Sequence, residues 1–320
     1  MAIRILLAAF ALGLLPMASA NAQYPSHPVK IVAHTPPGAG PDIIARLLAA
    51  KLAEYMGQPV IVENRPGSNG NIAGEYVAKS APDGYTLFVT TDAQFTINPH
   101  LYANLGFDWV RDLPPIASLA TEAFKLVITA SLPARTVAEF IEVARRANPP
   151  LFYGSAGNGS QHHLTMEQFK QRTGINLVHV PYKGGGPATT AALLAGEIAA
   201  TIGGSAVDVQ VKAGKLRALG ITSTTRSPRY PDLPSISETV PGFEMVSWYG
   251  LFAPAGTPQE VTARLHAEVA KFLALPDTRE KFSRTGPEPW ASTTDEFAAV
   301  IHRDYERNGK LVKSVGIRID

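Results

Sequence analysis

The stretch that decides the fold runs from residue 29 to residue 57 and reads VKIVAHTPPGAGPDIIARLLAAKLAEYMG. Residues 29–33 are mostly apolar and predict a short strand buried in a sheet, and residues 36–40 break that strand. Pro41 suits the first turn of a helix, and Gly57 suits a left-handed C-cap. Apolar residues recur at helical spacing between them. The stretch therefore predicts a strand, a glycine loop and a helix.

This arrangement leaves free backbone N–H groups at the start of the helix, which suit an anion such as a carboxylate or phosphate. Asp42 falls in the first turn, where a carboxylate also meets the positive end of the helix dipole. The same pattern fits a plain turn that binds nothing, so the loop alone does not establish a binding site.

The amino terminus has the features of a secretory signal peptide. Arg4 supplies the positive charge, residues 5–15 form an apolar region too short to span a membrane, and cleavage after Ala22 is predicted. Removal of Arg4 leaves 28 basic and 27 acidic residues, because the whole chain has 29 and 27. This near neutrality gives no electrostatic case for binding nucleic acid. There is no cysteine, which excludes disulfides, a thiolate nucleophile and a cysteine-ligated metal.

Strands and helices alternate through most of the remaining chain. Residues 29–90 predict a βαβαβ unit with a parallel sheet, and residues 124–222 predict a second α/β unit. The strand, glycine loop and helix recur in the second unit, where residues 154–159 form the loop and Ser160 suits the N-cap. Two later helices are predicted, one ending at Leu275 and one over residues 295–312. About 298 residues (320 − 22) suggest roughly two domains.

Two catalytic interpretations fit poorly. Gly38 and Gly40 with Glu63 resemble a dinucleotide fingerprint, but Ile43 stands where its third glycine belongs. A secreted hydrolase would need a nucleophile elbow, and Ser155 has Tyr153 instead of glycine two residues before it. The histidines are scattered, and no pattern in the sequence links one to a serine.

Two facing lobes explain the repeated loops better. Loops at the carboxyl ends of two parallel sheets can meet across a cleft, where a small anion would receive N–H donors from both sides. A dicarboxylate would satisfy both loops at once, and no catalyst is needed.

Short motifs from end to end resemble a Bug-type periplasmic solute receptor of the tripartite tricarboxylate transporter family. They include Glu63-Asn64-Arg65-Pro66-Gly67, Ala81-Pro82-Asp83-Gly84-Tyr85, Asn98-Pro99-His100-Leu101-Tyr102, Gly157-Asn158-Gly159, His179-Val180-Pro181-Tyr182-Lys183-Gly184 and Leu251-Phe252-Ala253-Pro254-Ala255-Gly256-Thr257-Pro258.

The resemblance implies a two-lobed α/β Venus-flytrap fold of the type II periplasmic binding protein class, with two hinge-crossing strands near Leu126 and Tyr249. Lobe one would combine residues 24–125 with 251–320, and lobe two would be 126–250. It also implies a periplasmic receptor, not an enzyme, that captures a small di-, tri- or aromatic carboxylate without cofactor or metal. Delivery would be to a large and a small membrane subunit, or to a sensor protein.

Ligand contacts are expected from the loops at the carboxyl ends of the strands. The candidates are Thr35, Pro37, Gly38, Ala39, Gly40, Thr91, Asp92, Gln94, Ser155, Asn158, Gly159, Ser160, His162, Tyr182, Gly204 and Ser205. Tyr182 fits a cleft wall or core packing equally.

Several of these loops depart from the family pattern. Ala39 replaces the second glycine of the family's usual Pro-Pro-Gly-Gly motif, and Pro41 replaces a residue that commonly carries a hydroxyl group. Residues 203–205 replace a frequent Phe-Asp-Asn. Asp92 either points to solvent as a turn residue or, with Gln94, selects an acid that carries a hydrogen-bond donor.

Overall fold

The computed structural model of the protein describes residues 24–183, 185–317 and 319. The predicted signal peptide, residues 1–22, lies outside the described residues, as does Gly184 of the His179-to-Gly184 motif. In the described part, no helix combines the length and apolar character that a membrane span needs.

The strands form two sheets. Their bounds are β1 Val29–Ala33, β2 Val60–Asn64, β3 Thr86–Thr91, β4 Pro115–Ala123, β5 Lys125–Thr129, β6 Leu151–Ser155, β7 Leu177–Pro181, β8 Ala200–Gly203, β9 Leu216–Ile221, β10 Val246–Phe252 and β11 Glu288–Pro289. The first sheet has the order β11-β4-β10-β3-β1-β2, and the second has the order β7-β6-β8-β5-β9. In the first, β1 is parallel to β2 and β3, whereas β10 is antiparallel to both of its neighbours.

Helices cover both faces of the sheets. Their bounds are α1 Gly40–Met56, α2 Asn71–Ala78, α3 Asp92–Thr96, α4 Asn98–Leu101, α5 Trp109–Asp112, α6 Val137–Arg146, α7 Gln161–Thr173, α8 Gly185–Ala195, α9 Asp208–Lys212, α10 Gln259–Ala274, α11 Pro276–Thr285 and α12 Thr294–Val315. One apolar core lies between the first sheet and α1 with α10, and another lies on the opposite face under α2 and α12.

The opening stretch folds as its sequence predicts. β1 is buried in the sheet, α1 carries Pro41 in its first turn, and Gly57 caps it with φ of 69°. The N–H of Gly57 donates to the carbonyl of Ala53 at 3.0 Å. Glycine adopts this left-handed conformation at no steric cost, which ends the helix at this point.

The chain passes between the sheets over very short connections. Phe124 alone separates β4 from β5. On the return, the N–H of Met245 donates to the carbonyl of Thr222 at 2.9 Å, and β10 begins at the next residue. The carboxyl ends of β1 and β3 therefore lie beside those of β6 and β8, and the space between these ends is called the cleft below.

Candidate functional site

The loop between β1 and α1 is held in shape by a buried carboxylate. Oδ2 of Asp42 accepts from the N–H of Gly38 at 2.8 Å, and Oδ1 accepts from Nδ2 of Asn64 at 2.8 Å. Burial alone would raise the pKa of Asp42, but hydrogen bonds from Arg46, Gly38 and Asn64 outweigh burial and lower the pKa. The N–H of Gly38, a predicted ligand donor, is thus already used by the loop itself.

The remaining residues of this loop lie where they were predicted, at the carboxyl end of β1. Pro37 and Gly38 are exposed, whereas Thr35, Ala39 and Gly40 are partly buried. The hydroxyl of Thr35 has no hydrogen-bond partner among the described residues, although the atom is buried. A Cβ added at Gly40 would lie 2.7 Å from the hydroxyl of Tyr249 on β10, so this strand reaches the start of α1.

Tyr249 connects this loop to a buried acid. Its hydroxyl donates to Oε2 of Glu122 at 2.7 Å, and Glu122 is 9% exposed. Burial raises the pKa of Glu122, although the bond from Tyr249, the charge of Lys125 and the backbone of Ser205 oppose the shift. A Cβ added at Gly204 would lie 2.7 Å from Oε1 of Glu122. Predicted residues Gly204 and Ser205 are therefore in the cleft, against an acid on the opposite sheet.

Asp92 is a second buried acid at the same place. It begins α3 directly after β3, is fully buried, and its Oδ1 accepts a very short hydrogen bond from the hydroxyl of Ser247 on β10. Burial is the main cause that raises the pKa of Asp92 to about 7. Ser247 and Tyr249 lie two residues apart, so their side chains share one face of β10. The two acids are thus each bound by a hydroxyl group from that face.

Gln94 and Thr91 have a structural role in this arrangement. Together they form a capping box at the start of α3. Oε1 of Gln94 accepts from the hydroxyls of Thr90 and Thr91, and its Nε2 donates to the carbonyl of Asn69 at 3.1 Å. Both polar atoms of the Gln94 side chain are therefore hydrogen-bonded to residues of the same half of the chain. The segment is a helix, not the loop that the sequence was interpreted to form.

The second glycine loop follows β6. Ser160 caps α7 by accepting from the N–H of His163 at 3.2 Å, and the N–H of Gly159 donates to Nδ1 of His163 at 3.1 Å. A Cβ added at Gly159 would lie 2.2 Å from Cδ1 of Leu101, so this loop touches the first half of the chain. Asn158 is exposed.

Two aromatic candidates have different positions. The ring of His162 packs edge-on against Phe124, with ring centroids 4.9 Å apart, so it lies at the crossing between the sheets. Burial lowers its pKa to about 4, which makes it a neutral side chain at neutral pH. Tyr182 instead donates to Glu197 at 3.2 Å and packs against the apolar cluster around α8.

One serine and one histidine are hydrogen-bonded, although no pattern in the sequence indicates this pair. Oγ of Ser155 lies 2.6 Å from Nε2 of His179, so the statement that no histidine is linked to a serine is wrong. Ser155 is fully buried and also bonds the carbonyl of Gly157 at 3.0 Å. Among the described residues, no carboxylate accepts from the other ring nitrogen of His179. The pair therefore lacks the orienting third group of a catalytic triad.

Five residues near the cleft were missed as site candidates: Glu122, Lys125, Gln161, Ser247 and Tyr249. Lys125 is 3% exposed, and its Nζ lies 2.8 Å from Oδ1 of Asp208 and 3.1 Å from the hydroxyl of Tyr230. A sequence signal was present for two of them, because Glu122 and Lys125 interrupt an otherwise apolar stretch.

One cavity lies away from the cleft, and the described residues form no metal centre. A cavity of about 550 Å³ is lined by Pro114, Pro254 and His266, at the end of the first sheet opposite to the cleft. Since the glycine loops lie at the other end, this cavity is not the predicted site. Within residues 24–183, 185–317 and 319, no group of three or more potential ligands could hold a metal ion.

Comparison with known proteins identifies the family. The model described as "Tripartite tricarboxylate transporter family receptor" matches residues 44–317. Protein BugT of Bordetella pertussis is 32% identical over 299 residues, which are 92% of this chain and 91% of that protein.

Two solved structures are similar over nearly their whole length. Rpa4515 of R. palustris with adipate has a TM-score of 0.85 and 36% identity, and the match covers 92% of this chain and 99% of that one. MatC of Rhodopseudomonas palustris with bound malate has a TM-score of 0.80 and 29% identity, with 90% and 100% covered. The predicted resemblance and the periplasmic binding protein fold are confirmed, and the chain belongs to the receptor family of the tripartite tricarboxylate transporters.

Proposed function

We propose that this protein is a periplasmic receptor that captures a small organic carboxylate in the cleft between its two sheets. The observation that carries the proposal is that two relatives with the same fold were solved with adipate and with malate. Adipate and malate each carry two carboxylates, which is the ligand class that two facing glycine loops would suit. Catalysis is not part of the proposal.

The proposal divides the chain into lobe one, residues 24–125 with 251–320, and lobe two, residues 126–250. Sheet membership supports this division except at its last boundary, since β1 to β4 lie in the first sheet and β5 to β9 in the second, but β10 also lies in the first. β10 pairs with β3 and β4 along its length, which favours a second crossing near Met245, a few residues before Tyr249. Ligand binding would then close the lobes by rotation about the two short connections.

The ligand contacts are proposed to come from the loops at the carboxyl ends of the strands. Gly40 and Thr35 on the first sheet, and Ser160 and Ser205 on the second, adjoin the cleft most directly. Gly38, Thr91 and Gln94 bond their own loops, so they shape the site. Backbone N–H groups at the starts of α1 and α7 would supply the anion donors.

Thermal stabilisation by a panel of dicarboxylates, tricarboxylates, aromatic acids and amino acids would test the proposal. A ligand at 100 times its Kd stabilises the folded protein by about 2.7 kcal/mol. We expect at least one acid to raise the melting temperature, to bind with saturable heat in calorimetry and to be recovered unchanged. Conversion of the bound acid, or the absence of stabilisation by every acid, would contradict a receptor for organic carboxylates.

The remaining parts of the proposal concern location and partners. A chain of this family would leave the cytoplasm on a signal peptide cleaved after Ala22, and would deliver its ligand to a large and a small membrane subunit or to a sensor protein. Amino-terminal sequencing of protein from the periplasmic fraction would test the location. Copurification with the membrane subunits, with and without ligand, would test the partner.

A further inference from the structure

One carboxylate oxygen is buried between the sheets without a donor. Oδ1 of Asp92 accepts from Ser247, whereas Oδ2 has no hydrogen-bond partner among the described residues. The whole side chain is 0% exposed. Buried polar groups in folded proteins are almost always satisfied, so this oxygen can accept a further hydrogen bond, such as one from a group of the ligand.

An amide on the other sheet lies opposite this acid. Gln161 begins α7, is 8% exposed, and neither Oε1 nor Nε2 has a partner in the part of the chain that the structure describes. The amide lies close enough to Asp92 to favour its charged form. A free Nε2 can donate to a carboxylate, so Gln161 and Asp92 together present a donor beside an acceptor.

A second acid makes the same end of the cleft unfavourable for an extra anion. Glu122 already accepts from Tyr249 and adjoins Gly204 and Ser205. A ligand that brought only carboxylates would face two buried acids, whereas a ligand with a donor would satisfy Oδ2 of Asp92. Hydrogen bonds that involve a charged partner are the stronger ones, so an ammonium group fits best.

We propose that Asp92 determines specificity by accepting a hydrogen bond from an ammonium group of the ligand, while Gln161 donates to the neighbouring carboxylate. The inference rests on the proposed function and narrows its ligand to an amino-substituted organic acid. Ser247 is a positioning residue, because it holds the other oxygen of Asp92.

The test compares acids that differ only in the amino group. Calorimetry on the mature chain would use succinate with L-aspartate, glutarate with L-glutamate, and adipate with L-2-aminoadipate. In the pair whose chain length suits the cleft, we expect the Kd of the amino acid to be at least about tenfold lower than that of the plain diacid, because it makes one additional charge-assisted hydrogen bond. Asp92→Asn should reduce that ratio about tenfold. Glu268→Gln is the matched control, since it neutralises a buried acid on α10 that pairs with Lys271 away from the cleft.

The outcomes separate the inference from the proposed function. The inference is overturned if the plain diacid binds as tightly as the amino acid, or more tightly, in every pair that binds. It is also overturned if Asp92→Asn leaves the ratio of the two Kd values unchanged. Either result leaves the proposed receptor function standing. If no acid of either kind binds, the receptor function fails first. If Asp92→Asn does not fold, the Kd ratios measured with the wild-type protein still test the inference. Gln161→Met provides a second variant and should weaken the binding of both members of the pair.

Discussion

The hydroxyl of Tyr249 donates to Oε2 of Glu122 at 2.7 Å and so joins β10 to β4 at the edge where the two sheets meet. Both side chains are buried, at 5% and 9% exposure. Glu122 lies on β4 just before the chain first crosses to the second sheet, and Tyr249 lies on β10 just after the chain returns. This bond therefore adds a side-chain contact to the backbone ladder of β4 and β10 next to the two crossings.

Tyr249→Phe should destabilise the protein by about 1–3 kcal/mol, because it removes the donor and leaves a buried carboxylate less satisfied. Urea unfolding at neutral pH measures the change. In the Glu122→Gln background, Tyr249→Phe should reduce the free energy of unfolding by less, since the remaining acceptor is uncharged. Equal losses of stability in the two backgrounds would show that the charge of Glu122 adds nothing to the hydrogen bond.

Gly40→Ala should disturb the start of α1. The added Cβ would lie 2.7 Å from the hydroxyl of Tyr249, so one of the two must move, at a cost of about 1–3 kcal/mol. Tyr249→Phe removes the atom in closest contact and should restore part of the loss. Thermal unfolding of the two single variants and the double variant checks this, and strictly additive losses would contradict the steric explanation.

Asp92 should make stability fall as pH rises. Its pKa is about 7 in the folded protein and 3.8 in the unfolded reference. The folded state therefore binds more protons between these values, and the stability that is present below pH 3.8 is lost as pH rises through 7. The effect amounts to at most about 4 kcal/mol. Urea unfolding across this range should show the loss in the wild type and not in Asp92→Asn. If the free energy of unfolding changes with pH in the same way in both proteins, Asp92 is not a protonated buried acid.

His34 should have the opposite effect at acid pH. Burial lowers its pKa from 6.5 to about 4, so the unfolded state binds more protons between these values. Stability should therefore fall as pH drops from 6.5 to 4. His34→Gln should reduce this slope, whereas His302→Gln is the control because His302 is exposed on α12. The prediction fails if both variants keep the wild-type slope in acid urea titrations.

Ligand binding should make the protein more compact. The two sheets are joined by Phe124 on one side and by the segment before β10 on the other, which permits rotation about both. Small-angle scattering should give a smaller radius of gyration at saturating ligand. A Gly40→Ala sample that has lost binding serves as the control. An unchanged radius with binding confirmed by calorimetry would show that the lobes do not close further.

The local units of the fold were predictable from sequence because their signals are local. β1 has the predicted bounds, and Gly57 ends α1 as its position indicated. β4 was missed. It begins at Pro115 and contains small residues instead of the β-branched run that predicts a strand. It is stabilised by pairing with β10, more than a hundred residues later, and that partner is not visible in its own sequence.

The site was less predictable than the fold for the same reason. Asp92 was singled out from its position after β3, but its bond to Ser247 depends on the pairing of β3 with β10. Glu122 lies opposite Ser247 in the ladder of β4 and β10, a register that only the assembled sheet defines. Gln161 comes near Asp92 only when the two sheets meet. Strand register and the approach of the sheets, not local propensity, bring these groups together.

The placement of Ser247 and Tyr249 on one strand determines which distances stay fixed when the second sheet moves. Residues two apart on a strand are separated by about 7 Å, and that separation is fixed by the backbone. β10 is paired on both sides within the first sheet, so rotation of the second sheet leaves the spacing unchanged. Gln161 and Ser205, on the second sheet, would move with it. Asp92 and Glu122, which these two hydroxyls bind, would therefore keep their spacing while Gln161 and Ser205 change their distance from them.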